Sequence, residues 1–431
     1  MKKILLFTDL NKLDRRVLEP CNYKTLWNDY CQQQGGNTGN KLFTLAVEKL
    51  LLRDDVTYQH YDRTMTKDYI NHNFDIILIP MANILNPHPT VKREMEELAQ
   101  FFNDIKVRTY IIGIGAQVAT YDDLDKLCKE IREPATRFLS AIYNTGGECA
   151  LRGEFTNEVF KTLGFNSAVV TGCPSIYQLG RNIEIKKKKI EEKDFKASLN
   201  GDVLYLQETN ILRYLRARNV FFVDQNEFID ILYDPEYKFT IEQVIKKYTY
   251  DALKALTEKR VKLYYDIPTW IKFFKQQDID FSFGSRIHGN IIALLSGTPA
   301  MVFCRDTRTR EMAEFFKIPH VEKVDKHTSL YELFCQADYE EFNSNFSTHY
   351  DAYERFYVDN DILPSIGEGI DNYNKWYNNV KYEMFESGAL EDNTKKIQEI
   401  VYNHGIASRL IDSKYYYGRK VKRLIKDGNS R

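Results

Sequence analysis

The stretch FSFGSRIHGN (281–290) decides how this chain is read. An alternating apolar run ends at Gly284. Ser285, Arg286 and His288 follow, then Gly289 and Asn290, and then the apolar segment IIALLSGTPA (291–300). The first part reads as a strand and the second as a helix, so the polar residues fall at a strand-to-helix junction. In open α/β sheets ligands bind at the carboxyl ends of strands. Helix N-termini carry unpaired N–H groups and partial positive charge, which suits anions. Gly284 is expected to let the chain turn, Ser285 to cap the helix, and Gly289 to allow close backbone approach. Arg286 offers a planar fork for a carboxylate or phosphate. A neighbouring anion would raise the pKa of His288 toward the physiological range. From these residues alone two readings stand: an anion site, or a surface arginine beside a structural histidine.

Two other junctions have the same character. VFCRDTRTREMAEFFKIP (302–319) places Arg305, Asp306, Arg308 and Arg310 where another strand gives way to a helix. Asp306 or Thr307 is expected to cap that helix, and Arg308 to turn toward the same cleft. Arg305 and Arg310 read equally as solvated partners of nearby acids. QQQGGNTGNKLFTLAVEKL (32–50) sets Gly35, Gly36, Asn37, Gly39 and Asn40 before a helix. Such a loop can present backbone N–H groups to a ligand, although it matches neither the Walker nor the dinucleotide pattern. GIGAQ (113–117) brings Gln117 to the same rim or forms a tight packing turn.

Working outward, the first 180 residues alternate strand and helix patterns, as in DIILIP (75–80), VKREMEELAQFFN (91–103) and RTYIIGIGA (108–116). Continuous apolar runs of this length indicate parallel strands buried on both faces. Pro134 is expected to kink or split the helix it interrupts. Residues 181–201 are dominated by charge and read as a solvated linker. Alternation resumes over 202–340, with strands expected at DVLYLQ (202–207), VFFVDQ (220–225), VKLYYD (261–266), DIDFSFG (278–284) and PAMVFC (299–304). Residues 341–431 read as a helical region packing back on both domains. The expected fold is α/β, with two facing Rossmann-like domains and a cleft between them.

Composition narrows the function. The 431 residues carry a net charge of −1, so no global field draws in nucleic acid. Seven cysteines without a C-x-x-C pair and eight histidines without metal-ligand spacing predict reduced thiols and no metal or other cofactor. The start MKKILLFTDLNKLD lacks the features of a signal peptide, and no apolar run approaches membrane-spanning length. These features predict a cytoplasmic protein. The basic, aromatic tail SKYYYGRKVKRLIKDGNSR (413–431) reads as a frayed helix end or as a weak peripheral membrane contact.

Together these segments resemble the polysaccharide pyruvyl transferase family. FSFGSRIHGNIIALLSGTPAMVF is similar to its G-x-R-x-H segment and the A-L-x-x-G-x-P that follows, and DTRTREMAEFFKIP to the next segment. GGNTGNKLFTLAVEKLL, CALRGEFTNEVFKTLG and VVTGCPSIY fit its earlier pattern. The resemblance implies a GT-B-like fold. It implies transfer of the enolpyruvyl group of phosphoenolpyruvate to a sugar or lipid-linked glycan, forming a pyruvate ketal and releasing phosphate. Arg286 and His288 match the donor-binding arginine and histidine, in an acceptor-first, donor-second order of domains. Where members commonly have an acidic residue in the N-terminal loop this chain has Asn40, and IPMANILNP stands where they often have a glycine-rich turn. The alternatives are a sialyltransferase-like GT-B enzyme using a nucleotide sugar, or a glycan-binding relative without catalysis.

Overall fold

The computed structural model describes residues 1–8, 37–226, 228, 249–264 and 267–378. Gly35, Gly36 and the basic tail lie outside them.

Twelve strands form two parallel sheets among the described residues. The first contains β1 (Lys2–Leu6), β2 (Val56–His60), β3 (Ile76–Pro80), β4 (Arg108–Ile114), β5 (Cys149–Leu151) and β6 (Val169–Val170), in the order β2-β1-β3-β4-β5-β6. The second contains β7 (Ala197–Asn200), β8 (Val220–Asp224), β9 (Val261–Leu263), β10 (Phe281–Gly284), β11 (Ala300–Phe303) and β12 (His320–Val321), in the order β12-β11-β10-β7-β8-β9. Each strand order reverses once, between β1 and β3 and between β7 and β10, and such reversals open crevices at the strand ends. β3 is buried at every position, which is why its sequence shows no alternation.

The helices are α1 (Asn40–Leu50), α2 (Lys67–Asn73), α3 (Pro89–Phe102), α4 (Leu124–Tyr143), α5 (Glu154–Leu163), α6 (Val203–Glu208), α7 (Tyr250–Thr257), α8 (Ile267–Gln276), α9 (Ile287–Leu295), α10 (Thr307–Phe316), α11 (Leu330–Gln336), α12 (Glu340–Asp359) and α13 (Gly367–Asn378). α9 is apolar around most of its circumference and buried at all nine positions. α4 runs unbroken through Pro134, so the proline does not split it.

The stretch DVLYLQ is helix rather than strand. Asp202 accepts a hydrogen bond from Tyr205 N at 2.9 Å and so caps α6. The strand lies just before it, as β7, inside the charged stretch 181–201. β7 is central because it pairs with both β8 and β10.

The last two helices run across both sheets. Tyr339, beside α12, donates to Ala300 O at 2.9 Å, and Tyr353 stacks on Tyr177 with centroids 4.6 Å apart. Asn360 donates to Glu148, and Asn372 on α13 donates to Leu52 O. The described cysteines are unbridged, with Cys128, Cys149, Cys173 and Cys304 buried and Cys335 exposed. No described helix is long and apolar enough to cross a membrane.

Candidate active site

The junction after β10 lies where the second sheet's strand order reverses. The neighbouring strand ends in Asn200, and that side chain organises the turn. Its Oδ1 accepts from Arg286 N at 3.0 Å, and its Nδ2 donates to Asn290 Oδ1 at 2.9 Å and to Ser282 Oγ at 3.3 Å. Asn290 in turn donates to Gly284 O at 2.9 Å. Gly284 is required for space: a β-carbon there would lie 1.8 Å from Asn200 O. Its backbone needs no left-handed conformation, so it does not act as a turn glycine. Gly289 admits the Asn200 side chain, whose Cγ would be 2.8 Å from an added β-carbon.

Ser285 does not cap α9. Arg286 occupies the capping position without a side-chain bond, and Asn200 satisfies its amide instead. The Arg286 guanidinium donates to Asn226 Oδ1 at 3.1 Å. On the neighbouring α10, Asp306 is the cap, and it also holds Arg308 at 2.7 Å. Arg305 lies over the Tyr205 ring, and Arg310 pairs with Glu314 and Glu322.

The N-terminal loop meets this junction directly. Thr38 N donates to Gln225 O at 3.1 Å. Gly39 leaves room for Gln225 Oε1, which would be 2.4 Å from a β-carbon, and for the Cβ of His288 at 3.1 Å. Asn37 accepts from Gly39 N, and Asn40 begins α1. Phe43, one turn on, stacks beside His288 with centroids 6.0 Å apart, and the Arg152 guanidinium carbon lies 5.5 Å from the same ring centroid. Gln117 stands at the seam, where it donates to Asp306 Oδ2 at 3.3 Å.

Arg152 is the site residue that the sequence reading passed over. It follows β5 in CALRGE, where one arginine after a short strand looks like surface charge. It is only 2% exposed. Its Nε donates to Gly113 O at 2.6 Å. Among the described residues, its buried Nη2 and the buried Nε2 of His288 have no partner. Such orphaned polar atoms are costly in a folded protein and call for a partner such as a ligand, an ion or a water.

The field here is positive. Burial first, then Arg152, Arg308 and Arg286, lower the His288 pKa to about 3. Without a ligand the imidazole is therefore neutral at physiological pH. An anion at the orphaned atoms would oppose the three guanidinium charges and favour the imidazolium. The amides of Ile287 and His288 precede the first bonds of α9 and add helix-end donors. Among the described residues, no group of three His, Cys, Asp or Glu side chains is placed to hold a metal ion.

Two doubly wound domains meeting along a seam, with a basic cluster at the switch point of the second sheet, define a GT-B-like architecture. The family model for polysaccharide pyruvyl transferase matches residues 37–307, which include Arg152, Arg286 and His288. The chain belongs to that family. No curated protein matches it. Among solved structures, an uncharacterized protein from Klebsiella pneumoniae is 13% identical with a TM-score of 0.37, covering 73% of this chain and 88% of its own. S. aureus MnaA, solved with UDP, is 14% identical with a TM-score of 0.41, covering 85% and 98%. The glycosyltransferase SnogD from Streptomyces nogalater is 8% identical with a TM-score of 0.29, covering 87% and 99%.

Proposed function

We propose that the protein transfers the enolpyruvyl group of phosphoenolpyruvate to a sugar of a polysaccharide or its lipid-linked precursor, forming a pyruvate ketal. The observation that carries this reading is the basic cluster: three arginines around a neutral histidine, with Arg152 Nη2 and His288 Nε2 both buried and unpartnered among the described residues. Phosphoenolpyruvate presents a carboxylate and a phosphate on adjacent atoms. Arg286, Arg152 and Arg308 supply fork-shaped donors for these groups, and the start of α9 supplies backbone donors.

The chemistry follows from the charges. A sugar hydroxyl oxygen bonds to C2 of the donor and gives up its proton to a base. The electron pair of the C2–C3 double bond takes a proton at C3. The bond from C2 to the phosphate oxygen then breaks, phosphate leaves, and a second hydroxyl of the sugar closes the ketal as it loses its proton. His288 meets the anion, and the anion's charge raises its proton affinity. It then binds the phosphate or passes a proton to C3. The residues Asn37, Gly39, Asn40 and Gln117 border the cluster from the first domain, which is the acceptor side in this reading. The reaction takes place in the cytoplasm, on glycans before export, with weak membrane contact through the basic tail.

The test is phosphate release from phosphoenolpyruvate with a panel of glycan acceptors, together with mass analysis of the products. Acceptor-dependent release with a ketal product, abolished in Arg286→Ala and reduced at least a hundredfold in His288→Ala, supports the reading. Normal turnover in His288→Ala contradicts the catalytic role of that residue.

A further inference from the structure

A buried carboxylate, that of Glu311, bridges the seam beside the basic cluster. It is carried by α10, in the second half of the molecule, and is 2% exposed. It reaches the start of α5, in the first half. There Oε2 accepts from Thr156 N at 3.0 Å, and Thr156 Oγ1 donates to Oε1 at 2.9 Å. Thr156 N is the third amide of α5, the one that a capping side chain ordinarily satisfies. The capping position is Gly153, which has no side chain to do so. Glu311 therefore caps α5 from across the seam.

Gly153 makes room for it, and Gly115 makes room for the Arg152 stem beside it. A β-carbon at Gly153 would lie 3.0 Å from Glu311 Oε2 and 3.0 Å from its Cβ. A β-carbon at Gly115 would lie 3.6 Å from Glu311 Oε1 and 3.0 Å from Arg152 Cδ. Gly153 has extended backbone, at φ −177°, open to any residue, so space rather than conformation calls for glycine there. Arg152 immediately precedes this capped turn, and its stem shares the slot wall at Gly115 with the Glu311 carboxylate.

We propose that Glu311 is a positioning residue for donor binding: seated between Gly115 and Gly153, it holds the turn that carries Arg152, so the anion site is complete only when the two halves of the molecule are joined. This rests on the reading of the basic cluster as a phosphoenolpyruvate site. Gln225, whose amide lies against Gly39 and Gly289, joins the halves on the other side of His288.

The test compares wild type, Glu311→Ala and Glu311→Gln, at a temperature well below all three melting midpoints. Titration calorimetry gives the Kd for phosphoenolpyruvate, and amide exchange reports Thr156 N. Glu311→Ala is expected to weaken phosphoenolpyruvate binding at least tenfold and to speed exchange at Thr156. Glu311→Gln keeps an acceptor oxygen in the slot and should bring both within threefold of wild type. Unchanged affinity in Glu311→Ala, alongside faster exchange at Thr156, overturns the proposal, since the contact would then not position Arg152. A wild-type protein that ignores phosphoenolpyruvate refutes the functional reading separately. Inorganic phosphate then serves as the probe, and either no phosphate binding or equal phosphate affinity in Glu311→Ala overturns the positioning role.

Discussion

Glu311→Gln tests the energetics of the seam, because the substitution removes a buried charge and leaves the slot filled. Burial is the main cause that raises the Glu311 pKa from 4.5 to about 7, while its bonds from Thr156 and the Arg152 charge oppose the rise and Asp306 adds to it. The Tyr121 hydroxyl, which donates to Glu314, also feels the Glu311 charge. A carboxyl with a raised folded pKa binds more protons folded than unfolded between the two values. Its stabilising contribution is therefore full below about pH 4.5, falls as pH rises toward 7, and is level above that. The displacement corresponds to about 3 kcal/mol lost across the window. For domains of this size that is roughly 6–12 °C in melting midpoint. The assay is the midpoint difference between wild type and Glu311→Gln at a series of pH values from 4.5 to 8. Every other titrating group is common to both proteins and cancels. The variant should gain on wild type steadily as pH rises to 7. A constant difference across the series refutes the buried, high-pKa carboxyl.

Three further outcomes follow from the site. Gly284→Ala forces a β-carbon against Asn200 O, so a melting midpoint lowered by the equivalent of about 1–3 kcal/mol or more is expected, with loss of anion binding; a midpoint matching wild type would contradict the close approach. Asn200→Asp keeps the shape but places a carboxylate oxygen against Asn290 Oδ1 and a negative charge at the anion site, so at least a tenfold loss of phosphoenolpyruvate affinity is expected by calorimetry. His288 is neutral in the free site, with a pKa of about 3, and an anion raises it. Calorimetry at pH 6 in buffers of different ionisation enthalpy should therefore show proton uptake on phosphoenolpyruvate binding that shrinks in His288→Gln, and identical uptake in both proteins would contradict this.

Much of the second sheet's site was legible because its signals are local. Gly284, Arg286, His288, Gly289 and Asn290 sit within seven residues, and glycines beside charge at a strand end carry their own meaning. The alternation of strands and helices likewise exposed the two parallel sheets. What escaped depends on partners far away in sequence. β7 is short and ends in Asn200, whose polar side chain reads as loop until the strand beside it supplies Ser282 and the helix after that strand supplies Asn290. DVLYLQ has the apolar content of a strand, and only the Asp202 cap makes it a helix. Arg152 and Glu311 look like solvated charge in CALRGE and TRTREMAEFF; Glu311 is seated against Thr156 of the opposite half and Arg152 against Gly113 and Phe43, far away in its own half, which no local pattern encodes. The D-x-x-Y capping spacing at 202–205 was the one available signal, and for Arg152 the glycine that follows it was a weaker one.

The most direct test of the account is thermal melting of the full chain with phosphoenolpyruvate, inorganic phosphate, UDP-sugars and CMP-sugars, in wild type and in Arg286→Ala and Arg152→Met. A ligand that binds only the folded state raises the midpoint. The account predicts a rise with phosphoenolpyruvate larger than with phosphate, absent with nucleotide sugars, and lost in both variants. A rise confined to a nucleotide sugar, or a phosphoenolpyruvate effect that survives both substitutions, would contradict it.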